Sequence, residues 1–441
     1  MRRILAALAG CAAALSAQAA AIVLSGGTVV DGYGNPPIAN GVVVIDGDRI
    51  LAVGGPDVIP MPEGAEVIST EGMTVLPGLW DMQVQLMRLG HGSHARWNET
   101  YGPLAERVVM PIAGRQLLQA GVTSARDVAA PLDAAINVRG RIRDHLVAGP
   151  TIYVSGPVLR KLAPVDTEAW QWAVSGVADV TAKVQRLADA GVDYLLLADV
   201  ELWTEEELSA AVSEARLRAL PVHAYAERPA DVERGVALQF DGFLGSNMGV
   251  TGFPDNVVLA LQQRLMSGAT RPLAWSPAIS ALLNFDSLRA NAEPLDDPLT
   301  IEALPPLVAA DILGSLRNLD GVDGFDVSAV RTQSTCAKLG QLQDAKLTLL
   351  VGSDAGAPGH LHSRATWQEI DFWVRECGVP ALRAIQAATH DAATAMGVGH
   401  ESGTLAPGKI ADVIAVRGDV LRNPALLQSV DIVIQRGRRI R

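Results

Sequence analysis

Eight short apolar runs recur along the chain, near residues 79–85, 122–127, 151–155, 192–198, 221–225, 240–244, 272–277 and 347–352. Between them lie stretches of helical periodicity, such as Ala182 to Ala190 and Thr204 to Ala219. The second opens with Thr204 at an N-cap position and Glu207 three residues on, the spacing of a capping box. Strands apolar throughout are buried on both faces, and helical crossovers between them imply a parallel sheet. Eight such units predict an α/β protein built on a (β/α)8 TIM barrel. An open doubly wound sheet is the other arrangement of such units, but no Gly-rich phosphate loop follows any strand. In a barrel the chemistry gathers at the C-terminal ends of the strands, so those ends carry the functional reading.

The two flanks have a different texture. From Ala21 to about Met73 come short β-rich runs punctuated by Gly and Asp, such as Gly41 to Asp48 and Ile50 to Gly54. After Gly403 the same texture returns, in Ala411 to Val416 and Val430 to Ile434. Neither flank is long enough to bury a core alone, so the two are expected to pair into one composite β-sandwich. The expected division is a leader over 1–19, sandwich over 20–78 and 399–441, and barrel over 79–398.

Met1 to Ala19 reads as a secretory signal, with Arg2-Arg3, an apolar core too short to span a bilayer, and Ala17-Gln18-Ala19 before the cleavage point. The mature protein is therefore expected to be exported to a periplasm. Leu8-Ala9-Gly10-Cys11 offers the alternative of a lipoprotein anchored through Cys11. The formal charge is -12, and removing the leader, with two arginines and no acid, makes it more negative. An acidic, aromatic-poor chain without basic clusters speaks against nucleic acid and, once the leader is cleaved, against membrane surfaces. Only Cys336 and Cys377 remain in the mature chain, and no CxxC spacing offers a thiolate metal site. A disulfide between them is open; two unpaired buried thiols is the preferred expectation.

The first barrel run, Leu76-Pro77-Gly78-Leu79-Trp80-Asp81-Met82-Gln83-Val84-Gln85-Leu86, alternates polar with apolar residues. Period two on a strand places Asp81, Gln83 and Gln85 on one face. This run resembles the first barrel strand of the amidohydrolase superfamily, with Gln83 and Gln85 where that family has two metal-binding histidines. The Gly-Thr-x-x-x-Gly-Lys-x-Ala-Asp signature of its composite domain stands at Gly403 to Asp412. Leu118 to Asp127 and Ala384 to Ala393 are similar to its imidazolonepropionase-like branch. The resemblance covers nearly the whole mature chain. It implies a hydrolase of carbon–nitrogen bonds other than ordinary peptide bonds, some relatives cleaving dipeptides, with one or two metals activating water.

The metal positions are largely replaced. Leu196 falls where the resemblance implies a carboxylated lysine, and Gly245 where it implies a histidine. On the fifth strand the family ligand aligns with Tyr225, leaving His223 two residues deeper; in the other register His223 is itself the ligand. Asp354, in Gly352-Ser353-Asp354-Ala355-Gly356, is the one retained group. Amide oxygens are weak zinc ligands beside imidazole, and Leu or Gly offers no donor. No cofactor is expected, with zinc only if a site has been relocated, for which His360 and His362 after Asp354 are the candidates. His91 and His94 sit in a Gly-rich loop and read as surface histidines. Arg126 and Asp127 at the second strand end, with Asp81, suit either a substrate pocket or an Arg–carboxylate network bracing the barrel. No Gly-x-Ser-x-Gly elbow or Ser-His-Asp order is present for metal-free hydrolysis.

The expectation is therefore an exported amidohydrolase-like barrel that has lost most of its metal site. It would bind a small molecule in a pocket drawn from Gln83, Gln85, Arg126, Asp127, His223, Tyr225, His360 and His362, with little or no catalysis. The alternative is an active hydrolase of amide, cyclic amide or dipeptide bonds, metal-free or with a relocated metal. A homo-oligomer or a paralogue partner is left open.

Overall fold

The computed structural model describes residues 21–441 except 247, 249–251, 269–272, 291–303, 318, 320–321, 323–324 and 326–327. The expected leader and Cys11 lie outside the described residues. The chain begins with five strands, β1 (Ile22–Val29), β2 (Ile38–Asp46), β3 (Arg49–Gly54), β4 (Glu66–Ser69) and β5 (Met73–Pro77). It then enters the barrel without a linker.

Parallel strands β6 (Leu79–Val84), β7 (Val122–Asp127) and β8 (Thr151–Val154) form its first part. Two short strands, β9 (Val158–Arg160) and β10 (Gln171–Ala173), pair with each other and, through β9, with the next barrel strand. They lead to β11 (Leu195–Leu197), β12 (Val222–Tyr225), β13 (Gly242–Leu244), β14 (Ala274–Ser276) and β15 (Thr348–Leu349). Asp193 N donates to Val154 O at 2.8 Å and joins the third barrel strand to the fourth. Met82 N donates to Val351 O at 2.8 Å, and a parallel bridge pairs Val84 with Ala355, closing the eighth strand on the first. The circle is the (β/α)8 barrel that the eight apolar runs predict. Helices such as Val177–Ala190 and Glu205–Leu217 cover it, the latter with the expected capping box from Thr204 and Glu207.

The last strands, β16 (Val413–Arg417), β17 (Ile432–Gln435) and β18 (Arg438–Arg439), return to the starting sheet. β16 pairs antiparallel with β5, and the eight strands of the two ends form one sheet. Leu24, Val43, Ile45 and Val75 from the start share an apolar core with Val413, Ala415, Ile432 and Ile434 from the end.

Cys336 and Cys377 are half-buried and joined in a disulfide, not left as buried thiols. It ties the helix Thr335–Asp344, before the last barrel strand, to the chain just after the helix Ala365–Arg375 that follows it. The tertiary fold brings their Cα atoms to 4.9 Å across a sequence separation of 41, a closeness that spacing does not encode.

Candidate functional site at the barrel mouth

The alternation of β6 breaks where it meets the site. Its pairing with β7 shifts register between Asp81 and Val84, so the three polar side chains do not share one face as a strict period of two requires. The Asp81 carboxylate accepts from Ser353 N at 3.0 Å, Ser353 Oγ at 2.6 Å, Thr366 Oγ1 at 2.7 Å and Gln83 N at 3.1 Å. Asp81 is thus a buried clamp between the first strand, the last strand and the helix behind it.

Gln83 and Gln85 turn instead to Asp354. Gln85 Nε2 donates to Asp354 Oδ1 at 2.7 Å, and Gln83 presents its amide to the same carboxylate. Asp354 stands in left-handed backbone, φ 57°, fixed by its own N–H on Gln83 O at 2.7 Å. Burial raises its pKa, and the two amides and nearby Arg88 oppose that rise. Arg88 joins them from an aperiodic loop, where no strand or helix pattern singles it out. Its Nη1 donates to Gln85 Oε1 at 2.8 Å and lies 3.3 Å from the ring nitrogens of His94. Its Nε is buried with no hydrogen-bond partner. The signal available in the sequence is a cationic side chain three residues beyond Gln85, flanked by Met87 and Leu89.

Tyr225 lies in electrostatic reach of both Asp354 and Arg88, and burial pushes its phenol well above the ordinary range. His223, two residues earlier, sits deeper: its Nδ1 is 3.2 Å from Arg126 Nη1, and its ring meets Tyr194 edge-on. Burial and the Arg126 charge hold it neutral. Leu196 is fully buried in an apolar cluster with Tyr194 and Leu244. Gly245 has φ +89°, a conformation that L side chains rarely adopt.

Arg126 is fully buried. Its Nε donates to Met82 O at 2.7 Å, and its guanidinium lies over the Tyr194 ring at 5.2 Å. Within the described residues its hydrogen bonds go to Met82 and His223 rather than to Asp81 or Asp127, so these residues do not form the expected Arg–carboxylate network. Asp127 accepts Leu86 N at 2.9 Å, and burial pushes its carboxyl up to about 7.

His360 and His362 are also fully buried, each lowered to about 3 by burial. His360 Nε2 lies 3.1 Å from Ser280 Oγ. The ring of His362 lies near the Gln85 backbone without a well-formed hydrogen bond. His91 is not a surface residue: its Nδ1 lies 2.8 Å from Ser93 O, and its loop folds inward where Gly92 N donates to Ser315 Oγ. His94 is half-buried against Arg88 and is lowered to about 3.

The donor set around Asp354 is two amides, a phenol and a guanidinium. Among the described residues, no three His, Cys, Asp or Glu side chains converge to hold a metal ion. The catalytic metal that the sequence resemblance implies does not fit these residues. As a general base Asp354 is poorly placed, because the amides of Gln83 and Gln85 already engage its acceptor oxygens.

Residues 289–440 match the model of the amidohydrolase family. A solved Xaa-Pro dipeptidase with methionine bound in its active site superposes with a TM-score of 0.75 at 21% identity, over 95% of this chain and 99% of that one. Ochratoxinase of A. niger gives 0.72 at 20% identity, over 96% of each chain. Phenylurea hydrolase B gives 0.75 at 18%, over 96% of this chain and 97% of that one. No curated protein matches the sequence.

Proposed function

We propose that the chain is a member of the amidohydrolase superfamily whose barrel has left metal hydrolysis behind, a reading supported by the family match over residues 289–440 and by the fold of the whole. Its class by descent is hydrolase of carbon–nitrogen, non-peptide bonds. Its proposed present role is to bind a small polar molecule at the mouth lined by Gln83, Gln85, Arg88, Tyr225 and Asp354, with little or no turnover. The observation that carries this is the surroundings of Asp354, where amide, phenol and guanidinium groups stand in place of imidazoles and a carbamate. Export is part of the proposal, supported by the leader sequence and by the Cys336–Cys377 disulfide, a bond that persists in oxidising compartments.

Elemental analysis of the purified protein tests the metal claim. We expect less than one equivalent of transition metal and no response to chelators. One or more equivalents of zinc, with a carbon–nitrogen hydrolysis that chelation abolishes, would overturn it. That result would also redirect attention to His223, or to His360 and His362.

A further inference from the structure

We propose that the guanidinium of Arg88 is the resident cation of the barrel mouth, neutralising Asp354 in place of a divalent ion and keeping such an ion out. The inference rests on the reading that the metal site is lost, and it says what replaced the metal. Arg88 holds Gln85 through Oε1 while Gln85 holds Asp354 through Nε2, so one amide relays guanidinium to carboxylate at 2.8 and 2.7 Å. Tyr225 lies within reach of both charges. Three of the positions implied as ligands, Gln85, Tyr225 and Asp354, are thus already organised around a positive charge that belongs to the chain.

The loop that aims Arg88 is built for the purpose. Leu86 N is pinned by Asp127 Oδ1 at 2.9 Å, Met87 O by Trp97 Nε1 at 2.8 Å, and Arg88 N closes a turn on Gln85 O at 3.0 Å. Beyond it, Gly90 takes φ +82° and its carbonyl accepts Gly359 N at 2.7 Å. The loop lies tightly against the segment after the last barrel strand: a Cβ on Gly356 would come within 2.7 Å of Gln85 O and 3.2 Å of Arg88 O. With the backbone held this way, the guanidinium is kept beside the site by its contacts with Gln85 Oε1 at 2.8 Å and the His94 ring at 3.3 Å. A divalent ion entering beside Asp354 would meet a fixed like charge and an amide already engaged.

The test asks whether restored ligands can take zinc while Arg88 remains. Zinc binding is measured by calorimetry on Gln83→His/Gln85→His, and on the same pair combined with Arg88→Met or with Arg88→Lys. With Arg88 kept, or exchanged for lysine so that the positive charge stays, no stoichiometric zinc binding is expected. With Arg88→Met, two imidazoles and Asp354 should bind one zinc at least about tenfold more tightly. Equal zinc affinity with and without Arg88 would overturn the inference. Should the Arg88→Met form fail to fold by circular dichroism, the Arg88-containing pair decides alone, and one equivalent of bound zinc there would overturn it. Zinc carried by the wild-type protein as purified is a different result, and it removes the proposed function itself.

Discussion

At the residue scale, the site is a set of buried and half-buried groups whose charges are set by desolvation more than by one another. Asp127 shows the consequence for pH. Its carboxyl sits at about 7 in the fold against 3.8 as an ordinary aspartate, because burial penalises the ion and only backbone N–H groups oppose it. Between those values the folded chain holds a proton that the unfolded chain has released, so stability from this group is present below the lower value and lost as pH rises through about 7. Asp127→Asn keeps an acceptor for Leu86 N and cannot ionise. Its stability relative to wild type should therefore grow as pH rises from about 4 to 7, by on the order of a few kcal/mol. Urea midpoints of both proteins across that window check this, and a constant difference would count against it. His94, His360 and His362, each lowered to about 3, act with the opposite sign as pH falls from 6.5, but they are common to both proteins and cancel. Residue identity makes Asp354 and the replaced positions legible in the sequence. Arg88 is not legible there, since its role depends on a loop conformation fixed by Asp127, Trp97 and Gly356, residues that reach the loop only through the fold. The split between Asp81 and the two glutamines is hidden too, because a register shift leaves no mark on an alternating pattern.

At the element scale, the barrel strands are well marked in the sequence, since a strand buried on both faces must be apolar along its length. The helix Glu205–Leu217 is equally legible: Thr204 accepts Glu207 N at 3.2 Å, and Thr204 N donates back to Glu207 Oε2 at 3.0 Å. Such signals are local. The disulfide is not, and neither composition nor spacing favours it over two free thiols. It fastens the elements on either side of the last barrel strand, which leads into Asp354. Closing a loop with a sequence separation of 41 restricts the unfolded chain, for which the chain-entropy account gives roughly 4 kcal/mol. Cys336→Ala/Cys377→Ala should lower the unfolding free energy from urea titration by up to that amount, and reduction of the wild type should bring it to the same value. A variant as stable as the oxidised wild type would show that native-state strain offsets the constraint.

At the scale of the whole molecule, the two ends of the chain hold the barrel by sharing one sheet. β5 leads straight into β6, with Gly78 N donating to Asp412 O at 2.9 Å and Leu79 N to Gly121 O at 2.9 Å. The strand that starts the barrel is therefore anchored by the segment that ends the protein. Pro77 to Met73 pairs residue by residue with Val413 to Arg417, and Val413, Ala415, Ile432 and Ile434 cover Leu24, Val43 and Ile45. Deleting Gly403 to Arg441 would strip β5 of this partner, expose the buried face of β1 and β2, and leave an unpaired strand edge beside the first barrel strand. Apolar surface and an open edge together favour association between chains. The truncated protein should accumulate as aggregate, with a large loss of soluble yield and no cooperative unfolding transition in what remains. Recovery of a soluble monomer with the unfolding midpoint of the full chain would show that the barrel and the N-terminal strands stand without the C-terminal strands.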